Sequence, residues 1–162
     1  MRENRPLGWG RLVDEVCAVD ATPLRGVGLF GPIGTISATI AAGNPMWPTR
    51  DTRRKVAEVQ ARAAASTLPP IVALAVGTDT VSVYPTTTKG HLSGGLVAQW
   101  HADDFKARTY PALVVIRLTV LLRSYEHFAL EAKISPIGPN RFHRRIARMI
   151  VEMGRLGVGV GE

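Results

Sequence analysis

A chain of 162 residues has room for one domain with its own core. Its 46% hydrophobic content excludes wholesale disorder, and the single cysteine, Cys17, excludes an internal disulfide and fits a reducing compartment. The net charge of +7 is uneven: residues 69–139 hold six Lys/Arg against five acids, while residues 1–68 and 140–162 carry +3 each, so anionic partners are expected at the flanks.

The first twenty residues carry both charge signs and no apolar signal-peptide run, which predicts a cytoplasmic protein. Leu12, Val13, Val16 and Val19 predict a short helix, and Cys17 reads as a small buried hydrophobe rather than a catalytic thiol. Residues 26–43 hold no charge, but five glycines and Pro32 argue against a membrane span. The pattern instead predicts a helix opening at Pro32 and stopping at Gly43, with Ile33, Ile36 and Ile40 on one stripe packed against the domain. Its alternative is shallow membrane insertion or a partner surface. Residues 51–66 are Ala-rich and predict a second helix. Arg53 and Arg54 sit in its first turn, where the helix dipole favours acids, and are candidate binding residues. The prolines at 69 and 70 end this segment, giving an expected division into a helical segment (1–68), a strand-rich domain (69–156) and a glycine-rich tail (157–162).

Residues 71–76 form an apolar run expected of a buried strand, and a turn at 77–80 leads to a second strand carrying Val81 and Val83. Shorter strands are predicted over 96–100 and 105–110. Residues 113–121 and 126–134 form the clearest pair: Ile116, Leu118 and Val120 face Ala132, Leu130 and Phe128 across a three-residue loop. That register sets Arg117 opposite Glu131 on the outer face. Asn140 is a predicted N-cap and Gly154 a predicted stop for a final helix. Phe142, Ile146, Met149, Ile150 and Met153 form its apolar stripe, opposite Arg141, Arg144, Arg145 and Arg148.

These residues define an α+β chain: N-terminal helices, then an antiparallel β-barrel or sheet closed by a C-terminal amphipathic helix. The strings IVALAVGTDTVSVY, VAQWHADDF and VVIRLTVLL, followed by the Arg-rich helix, resemble small uncharacterised bacterial members of the pleckstrin-homology-like superfamily. The resemblance covers about residues 71–153 and implies an up-and-down β-structure plugged by the helix. Three departures stand out. The expected first hairpin, Gly77, Thr78, Asp79 and Thr80, lacks the bases that grip inositol phosphates in lipid-binding members. The closing helix lacks a tryptophan, and six strands are visible where the fold has seven.

Metal-ligating types occur at His91, His101, Asp103 and Asp104, but their setting near a turn reads as a solvated loop. His127 reads as an outward strand residue and His143 as part of a solvated helix face. The string GVGLFGPIG lacks both the Gly-Lys-Ser/Thr ending and the dinucleotide spacing of phosphate loops. No metal, cofactor or catalytic residue is predicted. The expected function is a non-enzymatic binding or scaffold module. It would engage a protein partner or an anionic membrane surface, peripheral to the inner face, through Arg141, Arg144, Arg145, Arg148, Arg53 and Arg54. The alternative is a small enzyme or ligand carrier with a pocket at the open end of the barrel. The scarcity of aromatics on the basic segments argues against nucleic acid.

Overall fold

The computed structural model describes residues 5–33, 68–111 and 114–157. They form α1 (Gly10–Val19), β1 (Gly26–Pro32), β2 (Val72–Val76), β3 (Thr80–Pro85), β4 (Ala98–His101), β5 (Phe105–Pro111), β6 (Val115–Leu122), β7 (His127–Lys133) and α2 (His143–Gly157). All strand pairs are antiparallel, in the order β4-β3-β2-β1-β7-β6-β5. The two edge strands, β4 and β5, are neighbours in sequence, joined by a 3-10 turn (Ala102–Asp104), and the sheet is not closed.

The seventh strand comes from the segment expected to be helical. Gly26 to Phe30 pair with β2, Gly31 and Pro32 pair with β7, and the Ile33 N–H donates to the Ala129 carbonyl at 2.8 Å. β1 therefore belongs to both halves of the sheet and sits at its middle. A helix opening at Pro32 is incompatible with this pairing; the rest of that predicted helix, and all of the one predicted over 51–66, lie outside the described residues. β1 escapes a periodicity test because it is covered on both faces, which removes apolar–polar alternation.

The main core fills the space between the two sheet halves. Phe30, Leu74, Val81, Val83 and Trp100 come from one half, and Phe105, Leu118, Val120, Phe128 and Leu130 from the other. Trp100 and Phe128 stack with ring centres 5.2 Å apart. From α2, Ile146, Ala147, Ile150 and Met153 enter this core, with Phe142 and Met149 packed at its margin. A second cluster lies on the other side of β1–β3, where Leu12, Val13 and Val16 of α1 meet Val27, Ala73, Ala75 and Tyr84. In β3 even Thr80 and Ser82 are buried. The inward face of α1 is narrower than expected: Val19 is 62% exposed, and Cys17 is exposed rather than buried.

The β6–β7 hairpin has the predicted register, with Ile116, Leu118 and Val120 opposite Ala132, Leu130 and Phe128. Its three-residue loop is held by Leu122 N–H to Glu126 O and Tyr125 N–H to Leu122 O, both 2.9 Å. Tyr125 closes the loop at φ +69°, a conformation common at this position of three-residue hairpin loops. Arg117 does face Glu131, at 3.8 Å, but Glu131 is 0% exposed while Arg117 keeps 42% of its side chain in solvent. On the outer side of β7, an inner strand between β1 and β6, Glu131 is thus covered, while His127 and Lys133 at the strand's ends are exposed.

The closing helix differs from expectation at both ends. A 3-10 turn (Pro139–Phe142) precedes it, so Asn140 lies inside that turn rather than at a simple cap, its carbonyl accepting the His143 N–H. Gly154 is within α2, not at its end. A side chain there would meet the Phe105 ring at 2.9 Å and the Phe105 carbonyl at 3.1 Å, so this glycine lets the helix lie against β5.

Candidate functional site: the basic face of the closing helix

At about 100° per residue, Arg144, Arg145 and Arg148 of α2 fall within an arc of roughly 100°, and Arg141 precedes them in the 3-10 turn. All four are exposed, and none forms an ion pair among the described residues. Arg155 falls on the same arc and is exposed, a base that the sequence reading missed; Glu152 lies between it and the others. From Ala132 to Val151 the chain carries five bases and no acid, and the first turn of α2 has no acidic residue. The charge that an acid would normally neutralise there is left to solvent or to a partner.

Beside this face the β7–α2 connection forms a cleft of about 440 Å³, lined by Ile134, Ser135, Pro136, Asn140, Arg141 and Arg144. Arg141 is positioned by its neighbour, the guanidinium carbon lying 4.6 Å from the Phe142 ring centre. The Ser135 oxygen accepts the Ile137 N–H at 3.3 Å, leaving its own O–H free to donate. The Asn140 side chain makes no hydrogen bond among the described residues.

Arg53 and Arg54 lie outside the described residues, but topology changes their context. The first hairpin of the sheet is β1–β2, not β2–β3. Its connection, residues 33–71, carries Arg50, Arg53, Arg54, Lys55 and Arg62. The lack of bases at Gly77 to Thr80 is therefore a property of the second hairpin.

His143 is the largest correction. Expected on a solvated face, it is 4% exposed and held between two strands. Its Nδ1 lies 2.6 Å from the Lys133 carbonyl at the end of β7, and its Nε2 accepts the Leu29 N–H of β1 at 3.1 Å. A carbonyl requires a donor and an amide requires an acceptor, so the ring is neutral with its proton on Nδ1. Burial pushes its pKa below the ordinary value, against a smaller upward pull from the Lys133 carbonyl. The sequence held a signal for this: His143, Ile146, Ala147 and Ile150 share i, i+3, i+4, i+7 spacing, the buried face of α2.

The glycines of GVGLFGPIG also find a structural role. A side chain at Gly28 would meet Phe30 at 2.9 Å and His143 at 3.0 Å, and one at Gly26 would meet Ile146 at 3.1 Å. They let α2 rest directly on β1, and no phosphate loop is formed by the strand. The remaining candidates are dispersed. His91 is 3.2 Å from Glu15, while His101, Asp103, Asp104 and His127 are exposed. No group of three metal-ligating side chains occurs among the described residues.

On the opposite side of the sheet Asp20 accepts hydrogen bonds from Thr22 and, at 2.8 Å, from the Tyr84 hydroxyl. Burial alone would raise the Asp20 carboxyl, but its hydrogen bonds to Thr22, Tyr84 and Ser82 outweigh this and hold it below its ordinary value. Burial, and then the Asp20 contact, pushes Tyr84 up to about 12. This cluster fastens the end of α1 to β3. Partial desolvation and then the carboxylates of Asp14 and Asp20 likewise raise the Cys17 thiol, the reverse of an activated thiolate.

No helix among the described residues is long and apolar enough to cross a membrane. Compared with known proteins, the chain matches no protein-family model and shows no significant similarity to a curated protein.

Proposed function

We propose that this chain is a binding module, pleckstrin-homology-like in architecture, that engages anionic surfaces through the arginine face of α2. Two kinds of surface fit it: an acidic protein partner, or an anionic membrane at the inner face of which a cytoplasmic protein would sit. The architecture is supported by the strand order β4-β3-β2-β1-β7-β6-β5, with β1 shared between halves and a C-terminal helix against the core. The carrying observation is the exposure of Arg141, Arg144, Arg145 and Arg148, without ion pairs among the described residues, over a stripe that is itself buried. Each base near an anionic bilayer contributes about 1 kcal/mol, so four supply about 4 kcal/mol, roughly a thousandfold in affinity. The attraction weakens as the screening length falls from about 10 Å at 0.1 M salt to about 3 Å at 1 M.

Co-sedimentation with neutral and anionic vesicles, and pull-down on an acidic polypeptide, across that salt range tests the reading. Binding to an anionic surface that fades with salt and is lost on Arg144→Glu with Arg148→Glu is expected. A double variant that binds both surfaces as the parent chain does overturns it. The alternative is a small enzyme or ligand carrier with a pocket at the open end of the barrel; against it, Ile146 and Ile150 are buried in the core between the sheet halves and Phe142 packs beside them.

A further inference from the structure

We propose that the cleft between the β7–α2 connection and the start of α2 is a binding site for a phosphomonoester group, with Arg141 and Arg144 as its cationic pair. This rests on the reading of α2 as an anion-binding face and adds to it a discrete ligand. Among the described residues, the lining supplies two guanidinium groups and no carboxylate. A single carboxylate is satisfied by one bidentate arginine, whereas a phosphomonoester carries about −1.5 to −2 charges and three acceptor oxygens, matching two arginines. Two neutral donors complete the set: the Ser135 O–H, its oxygen already occupied by the Ile137 N–H, and the side-chain amide of Asn140.

Arg141 is held in place by stacking on Phe142, and Phe142 in turn packs on the core. Part of the site is therefore preorganised, which lowers the ordering cost of binding. The cleft, at about 440 Å³, exceeds the size of a phosphate alone, and Ile134 and Pro136 offer apolar wall to whatever the phosphate is attached to. Arg145 and Arg148 share the helix face but do not line the cleft, so they separate this site from the general electrostatic face.

The test uses the full chain titrated with inorganic phosphate at constant ionic strength, followed by amide chemical shifts, with chloride as the control anion. The expected result is saturable shifts centred on residues 134–144, weakened roughly tenfold or more in Arg141→Gln and in Arg144→Gln and unchanged in Arg148→Gln. Chloride reproducing the shifts, or an Arg141→Gln, Arg144→Gln double variant binding phosphate as the parent does, overturns the site. A second arm compares vesicles bearing phosphatidic acid with vesicles of equal charge bearing phosphatidylglycerol. Preference for phosphatidic acid that disappears in Arg144→Gln identifies the source as a lipid headgroup; saturable phosphate binding without that preference identifies it as a small phosphomonoester. Salt-sensitive vesicle binding with neither phosphate saturation nor headgroup preference removes this site while leaving the basic face intact.

Discussion

His143 joins three elements with two hydrogen bonds, and its chemistry makes the joint sensitive to acid. Protonation would place an N–H on Nε2, against the Leu29 N–H, in a buried site. The folded-state pKa lies below the unfolded value of about 6.5, so between those two values the unfolded chain binds more protons. Stability is accordingly full above about pH 6.5 and declines as pH falls toward the folded pKa. Denaturant unfolding at successive pH values should show this slope. It should flatten in His143→Gln, which keeps a donor and an acceptor but does not titrate. Replacement by Ala should cost about 1–3 kcal/mol for each backbone group, the Leu29 N–H and the Lys133 carbonyl, that it leaves unpaired. On the other side of the sheet, Tyr84 should ionise near 12, and Asp20→Asn should lower that value by removing the carboxylate while burial persists. Ultraviolet titration of the phenol checks this.

Among the elements, α2 carries the greatest energetic asymmetry between its faces. Ile146→Ala should destabilise by about 2–5 kcal/mol, because the cavity opens between helix, β1 and core. Arg148→Gln should change stability by less than about 0.5 kcal/mol, and thermal unfolding of the two variants separates core from surface. Gly154→Ala should cost about 1–3 kcal/mol despite alanine's better helix propensity, since Phe105 and its backbone block the added carbon. The same elements show what was legible in the sequence. The β6–β7 register followed from alternating apolar residues, for a slip of one position would have exchanged their faces. β1 offered no such pattern: its glycines answer to a helix laid across the strand, and that helix lies more than a hundred positions later. The arginine face was readable from spacing alone, but the cleft beside it depends on how the β7–α2 connection turns, which composition does not encode.

At the scale of the whole molecule, the strand at the centre of the sheet has its two neighbours at very different distances along the chain. Leu7 already meets the second edge of β1 at Val27, but Gly31 pairs with Glu131, so the end of that edge is satisfied by a strand made about a hundred residues later. At a synthesis rate of roughly 5–20 residues per second, that partner follows by about 5–20 s. During the interval β1 and β2 can pair and Leu7 can cover the start of the far edge, but the rest of that edge of an uncharged, glycine-rich strand lacks β7 and α2, and such edges recruit other chains. Chains stopped before β7 should therefore partition into aggregates, and the full chain should regain solubility once β7 and α2 are present, as fractionation of graded truncations would show. The shared strand thus sets a timetable: the earliest strand to be synthesised is among the last to be completed, and its protection during that wait falls to whatever shields nascent chains.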